Sequence, residues 1–185
     1  AFGRTNIGTY GDLYLIVKSG TASKFYKAST GGTAASGGAN ATANQAYNDA
    51  NNLGYRGNIQ INGADVQVTG LQFVDDTTGG FLYGVTDTGL LIKFATGGGG
   101  KPASDTAAES TVNFNATVVA DYSSDLGAGV GFTALTAAPQ NLYDGLFRGK
   151  FFACTTTGRL ALLDPAANQS SVMYTAGAAA GGTTD

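Results

Sequence analysis

Histidine is absent from the 185-residue sequence, and Cys154 is its single cysteine. Without histidine the chain cannot assemble a Ser-His-Asp or Cys-His nucleophile, and it lacks the commonest ligand of transition metals. One thiol also excludes an internal disulfide, and together with the missing histidine it argues against zinc, haem and iron–sulfur sites. The most frequent catalytic and cofactor chemistries are therefore not expected.

Acidic residues are the remaining candidates for chemistry. Asp75-Asp76 and the segment Asp121–Asp125 are candidate calcium loops, because calcium binds clustered oxygen ligands. Both lie between predicted strands, where Asp is also an ordinary turn residue. Glycoside hydrolysis needs two facing carboxylates, but Glu109 is the only glutamate and no aspartate pair stands out. We therefore predict no catalytic, cofactor-binding or metal-binding residues, and no enzyme activity.

The elements that position these residues repeat along the chain. Three segments align at a spacing of 69 residues (80 − 11 and 149 − 80), each running from one glycine to another: Gly11–Gly20, Gly80–Gly89 and Gly149–Gly158. A second apolar segment follows each closing glycine. The pattern predicts three β-hairpins whose turns use glycine at positive φ.

Ile16, Val85 and Cys154 share one position of this repeat. A position that accepts Ile, Val and Cys is typical of a core, where cysteine behaves as a small hydrophobic residue. We therefore predict that Cys154 packs inside.

Aromatic residues share a second repeat position, which holds Tyr14, Tyr83 and Phe152. We predict that they pack in the core, and outward-facing rings would instead be able to stack on sugars.

Further strands flank the hairpins. Leading strands are predicted over Val66–Phe73 and Val130–Thr136, with Gly70-Leu71 equivalent to Gly131-Phe132. The apolar alternation predicts closing strands as well. These lie at Asn58–Ile61, Val112–Val118 and Val172–Tyr174.

The repeat predicts one β-domain over residues 1–176, with units of about 1–64, 65–128 and 129–176. Insertions are predicted at 29–57 and 97–110, and a flexible tail at 177–185. Residues 41–54 could form a short helix capped by Gly54.

Repeated sheets of this size pack radially as propeller blades or face to face as a sandwich. We predict all-β, propeller-like blades of antiparallel strands, with a β-sandwich as the alternative. Propellers typically have 4–8 blades, so three hairpins form an incomplete ring. We expect the chain to be completed by self-association or by other segments of a longer parent chain.

Charged residues make up only 12% of the chain, and the net charge is −3 with a pI near 4.7. A nucleic-acid partner would favour a basic surface, and no apolar run is long enough for a transmembrane helix. The abundance of Thr, Asn, Ser, Gly and Ala favours an extracellular or cell-surface location. The chain opens without Met, which we interpret as a removed leader or a piece of a longer polypeptide.

Two stretches carry a family resemblance, Val66–Phe94 and Gly131–Asp164. The phrases Val68–Phe73, Phe81–Thr86 and Gly131–Thr136 resemble blade motifs of large secreted or cell-surface bacterial repeat proteins. The resemblance implies a propeller-like fold outside the cell and supplies no catalytic residues.

We therefore predict a non-catalytic structural or adhesive module that assembles through sheet edges or apolar faces. The alternatives are a carbohydrate-binding propeller module, with glycans as partners, and a fragment of an extracellular polysaccharide lyase or hydrolase.

Overall fold

The computed structural model describes residues 2–3, 12–29, 54–74, 81–94 and 113–175. Within these ranges the chain is β-structure apart from one short α-helix and one 3-10 turn, so the all-β prediction is confirmed. The elements are β1 (Phe2–Gly3), β2 (Asp12–Ser19), β3 (Ala22–Ser29), β4 (Gly54–Ile61), β5 (Ala64–Asp65), β6 (Val68–Val74), β7 (Phe81–Thr86), β8 (Leu90–Phe94), β9 (Phe114–Asp121), α1 (Ser123–Leu126), β10 (Phe132–Ala137), the 3-10 turn (Tyr143–Gly145), β11 (Phe151–Thr155), β12 (Arg159–Asp164) and β13 (Gln169–Thr175).

Across the described ranges the strands form two sheets. The first runs in the order β1-β2-β3-β4-β9-β8-β7-β6, with β5 paired to β4, and the second in the order β10-β11-β12-β13. All pairs are antiparallel except the short parallel contact between β4 and β9. The first sheet curls towards a barrel, since the buried Ser23 near the start of β3 hydrogen-bonds to Val66, just before β6, and to Val68, the first residue of β6.

Two consecutive four-stranded meanders share one register. We call β6–β9 the central unit and β10–β13 the C-terminal unit. Tyr83 pairs with Lys93 in the first, and Phe152 pairs with Leu162 at the equivalent place in the second. Each unit also has one β-bulge in its first strand and one in its last strand.

The bulges in the first strands correct one predicted equivalence. Thr69 and Thr133 occupy these bulges, and their hydroxyls donate to the carbonyl oxygens of Val85 at 3.2 Å and Cys154 at 3.3 Å. Gly70 therefore corresponds to Ala134, and the predicted match of Gly70-Leu71 with Gly131-Phe132 is wrong by three residues. Only the pairing partner fixes the register, since short apolar strands align equally well at several offsets.

The hairpin turns of both units are held by one threonine each. The Thr86 hydroxyl accepts a hydrogen bond from the backbone N–H of Leu90 at 3.0 Å, and Thr155 accepts from Arg159 at 3.0 Å. Such a hydroxyl replaces a missing backbone partner. Gly89 lies at φ +88°, as the repeat predicted for the closing glycine.

The N-terminal hairpin departs from the repeat. Tyr14 pairs with Lys27 rather than with Lys24, because Ser19 pairs directly with Ala22 across a two-residue turn. Val17 occupies the position held by Thr86 and Thr155, so this hairpin lacks the hydroxyl that supports the wider turn. The 69-residue spacing therefore predicts the hairpin but not its register.

The central unit is apolar on both faces. We call β1–β5 the N-terminal strands. Val85 and Leu91 face the C-terminal unit, while Leu82 and Ile92 face the N-terminal strands, and all four are fully buried. Ile59 of β4 is fully buried in the cluster that also contains Leu82 and Ile92. The cluster towards the C-terminal unit also holds Ala120, Tyr122, Leu126, Phe132, Leu135, Phe151, Ala153, Ala161 and Leu163.

Strand β4 shortens the first predicted insertion. β4 starts at Gly54 and pairs with β3, so the insertion does not extend to residue 57 and Gly54 does not cap a helix. The segment 30–53, the insertion at 97–110 and the tail at 177–185 lie outside the described residues.

Gly70 allows the two units to approach closely. A Cβ at this position would lie 2.8 Å from the backbone nitrogen of Leu135 and 3.0 Å from the carbonyl carbon of Ala134. We expect Gly70→Ala to lower the free energy of unfolding by about 1–3 kcal/mol, the usual cost of overpacking, measured by denaturant unfolding.

Ala134→Gly is the matched control, because Ala134 occupies the same position of the C-terminal unit and is exposed. It should cost less than about 1 kcal/mol, the penalty for glycine inside a strand. Equal stability of Gly70→Ala and the unchanged protein would contradict the close packing of β6 on β10.

Candidate functional site

A cavity of about 460 Å³ lies where β2, β6 and β10 converge. Its lining combines an apolar part with hydroxyl, amide and charged groups. The lining residues are Ile16, Lys18, Gln67, Val68, Thr69, Asp87, Phe132, Thr133 and Thr156.

Equivalent positions of the repeat meet around this cavity. Lys18, Asp87 and Thr156 follow one another at the 69-residue spacing (87 − 18 and 156 − 87), and each contributes to the lining. Thr69 and Thr133, which occupy equivalent bulges, do so as well. Equivalent positions of the N-terminal strands, the central unit and the C-terminal unit therefore meet at this one cavity.

The polar groups of the cavity mostly serve the fold. The Thr69 hydroxyl lies 2.6 Å from the carbonyl oxygen of Phe132 and so joins β6 to β10. The Thr156 hydroxyl accepts from the backbone N–H of Gly131 at 3.3 Å. Among the described lining residues Asp87 supplies the one carboxylate, whereas hydrolysis of a glycoside needs two.

The outer face of the C-terminal unit is a second candidate surface. Cross-strand neighbours on one face of a sheet are read from the register, which gives two rows. We call this surface the open face. One row is Ala134–Cys154–Leu160, and the other is Thr136–Phe152–Leu162–Ser171.

Charge is absent from these two rows and present at their end. All seven side chains are uncharged, and they are exposed or half-buried. The Lys150 ammonium lies 2.9 Å from the Asp164 carboxylate at the end of the face. This contact lowers the pKa of Asp164. The open face thus has an apolar centre and a polar rim, the pattern of protein interfaces.

The prediction that Cys154 packs in the core is wrong, because its side chain is exposed. Val85 occupies the same repeat position and is 0% exposed, and Ile16 packs partly buried against the neighbouring cluster. The three side chains differ in exposure because they differ in what packs on them. Val85 is covered by the C-terminal unit and Ile16 packs on residues of the central unit, whereas no described sheet lies over Cys154.

The predicted packing of the shared aromatic position holds for Tyr83, whose ring centroid lies 5.0 Å from that of Phe151. Phe152 is half-buried on the open face. The side chain of Tyr14 lies outside the described residues.

An aromatic ladder rises from Phe152 into the loop between β10 and β11. Phe147 lies 5.8 Å from Phe152 and Tyr143 lies 6.1 Å from Phe147, between ring centroids. Tyr143 is 78% exposed and has a positive φ of 47°, which is unusual for a bulky residue. This ladder was not predicted from the sequence, although apolar residues within a turn-rich loop were a signal for it.

The candidate calcium segment is used within the fold. Asp121 accepts from the backbone N–H of Ser123 at 2.9 Å. Hydrogen bonding to the Ser123 side chain, and then to its backbone, lowers the pKa of Asp121. Asp125 accepts from the N–H and hydroxyl of Ser170 at 2.8 and 3.2 Å. Among the described residues no three acidic or cysteine side chains cluster, and Asp75-Asp76 lies outside them.

Tyr122 is fully buried beneath α1, and within the described structure its hydroxyl has no hydrogen-bond partner. Burial raises the pKa of this phenol, and the Asp164 and Asp125 carboxylates raise it further. The group therefore stays neutral at physiological pH, and it is a member of the core cluster rather than of the cavity lining.

Removing the unpaired hydroxyl should stabilise the protein. We expect Tyr122→Phe to raise the free energy of unfolding by about 1 kcal/mol, because a buried hydroxyl without a partner keeps its desolvation cost. Denaturant unfolding measures this change. A clear loss of stability would mean that the hydroxyl makes a hydrogen bond in solution.

None of the helices within the described part of the chain is long and apolar enough to span a membrane. A scan against protein-family models finds no match. Searches of curated proteins and of solved structures find no significant match either.

Proposed function

We propose that this chain is a non-catalytic structural or adhesive module of a secreted or cell-surface bacterial protein, and that it assembles through an apolar sheet face. The observation that carries the proposal is the open face of the C-terminal unit. Its counterpart on the central unit is buried, with Val85 and Leu91 both 0% exposed. A surface of this composition marks an interaction site in soluble proteins.

A propeller-like arrangement of the units is part of this proposal. Its support is the cavity, which equivalent positions line from three sides through Lys18, Asp87 and Thr156. Radial packing places equivalent residues around one axis, whereas a simple two-layer sandwich does not. The face-to-face contact of β6 with β10, which Gly70 permits, is in keeping with adjacent blades.

The cellular setting rests on sequence alone. The low charge content and the abundance of small polar residues support an extracellular location. The resemblance of Val68–Phe73 and Phe81–Thr86 to blade motifs of secreted or cell-surface bacterial repeat proteins supports the same setting. The absence of a paired carboxylate among the described cavity residues favours a structural role over a lyase or hydrolase.

Cys154 reports on whether the open face is covered in the native assembly. In protein purified under non-denaturing conditions from the cells that make it, we expect Cys154 to react with a maleimide at least about tenfold more slowly than in the isolated chain. This is because mass action leaves only the unbound fraction accessible.

Full labelling after denaturation of the same native sample is the control, since it shows that the thiol is intact. Equal labelling rates in the native sample and the isolated chain would leave the open face without a partner and would overturn the proposed structural role.

A second candidate function, carbohydrate binding, is favoured by the aromatic ladder. Tyr143 projects into solvent from a left-handed turn that includes Asp144 and Gly145. Backbone strain of this kind tends to occur at binding sites, and exposed rings offer a flat surface on which sugar rings can stack.

A glycan array with the intact chain tests this candidate. If a glycan binds, we expect Tyr143→Ala to weaken its affinity by about tenfold, equivalent to about 1.4 kcal/mol. Leu146→Ala is the matched control, because Leu146 is exposed in the same loop and outside the ladder. An array without hits, or equal binding by both variants, would exclude the ladder as a glycan site.

A further inference from the structure

The central unit indicates what kind of surface fits the open face. On it, the row Gly70–Val85–Leu91–Ala120 is equivalent to the row Ala134–Cys154–Leu160 of the open face. The central row is covered by a β-sheet of this same chain, through Phe132, Phe151 and Leu163. The structure thus shows how the equivalent face of the central unit is covered, and the cover is one of the chain's own sheets.

Charge further restricts the occupant. The open face carries no charged side chain between its two rows, and the Lys150–Asp164 pair at its end is internally neutralised. A nucleic acid or a strongly charged peptide would find no counter-charge on these rows. An uncharged, apolar sheet face meets the requirement.

We infer that the occupant of the open face is a second copy of this chain, which packs a β-sheet onto Ala134, Cys154 and Leu160. The inference rests on the proposed assembly function and names its partner. Face-to-face sheets lie about 10 Å apart, so the added sheet would pack on the C-terminal unit as the C-terminal unit packs on the central unit. Cys154 would then be as buried as Val85.

Sedimentation analysis of the isolated chain over a range of concentrations is the test. We expect a transition from monomer to a larger species, with Cys154 labelling that slows as the larger species forms. At 90% association the labelling rate should fall by about tenfold, since only the free fraction reacts.

Ala134→Glu is the disrupting variant, because Ala134 is exposed in the monomer and its replacement leaves the core untouched. It should remain monomeric and label rapidly at every concentration. Leu160→Glu is a second variant on the same face, and unchanged circular dichroism verifies that each variant is folded. Ser124→Glu adds the same charge on the exposed side of α1 and should associate like the unchanged chain.

The possible results separate the second-copy inference from the proposed assembly function. A chain that stays monomeric at high concentration, or that associates equally well with Ala134→Glu, overturns the second-copy inference. If Cys154 is nevertheless protected in native material, the proposed assembly function survives with a different occupant, such as another segment of a longer polypeptide. If Cys154 is reactive there as well, both proposals fail.

Discussion

A β-sheet that is apolar on both faces must be covered on both, and the central unit is such a sheet. Leu82 and Ile92 face one way and Val85 and Leu91 the other, and all four are withdrawn from water. Burial of apolar surface is the main favourable term in folding, and a single sheet has no way to provide it alone. The layers on either side of β6–β9 are therefore a requirement of its sequence.

The same requirement explains which faces of the two units are buried. The central unit presents one face to the N-terminal strands and the other to the C-terminal unit, and the C-terminal unit repeats its strand register. Its inner face, with Phe151 and Leu163, is buried against the central unit. Its outer face has kept an apolar composition, with Phe152, Leu160 and Leu162, although no described sheet lies on it. Composition and cover therefore disagree at this face, and this disagreement is the basis of the proposed assembly.

Much of the fold could be predicted from local signals. The hairpins, their closing glycines and the alternating strand at β9 depend on turn chemistry and side-chain period, which the sequence displays directly. The register of the first hairpin depends on a tight turn at Gly20, where Val17 replaces the threonine that supports the other turns. The repeat alignment could not reveal this, because it matches positions and not hydrogen bonds.

The candidate sites were harder to predict because they depend on layers rather than strands. The repeat correctly placed Cys154 with Val85, but equivalence along the chain says nothing about which neighbour lies above each position. The cavity at Lys18, Asp87 and Thr156 was present in the alignment as one shared position. The cavity forms only where β2, β6 and β10 converge, which is a property of the tertiary packing.

The most direct test compares thiol reactivity at two equivalent positions. It shows whether the open face of the C-terminal unit is uncovered while the equivalent face of the central unit is buried. The monomeric chain is compared with a Val85→Cys variant in a Cys154→Ser background. Because a buried thiol reacts only when the structure opens locally, cysteine at position 85 should react roughly a hundredfold or more slowly than Cys154. Similar rates at the two positions, or slower reaction at Cys154, would contradict the layered packing and the open face together.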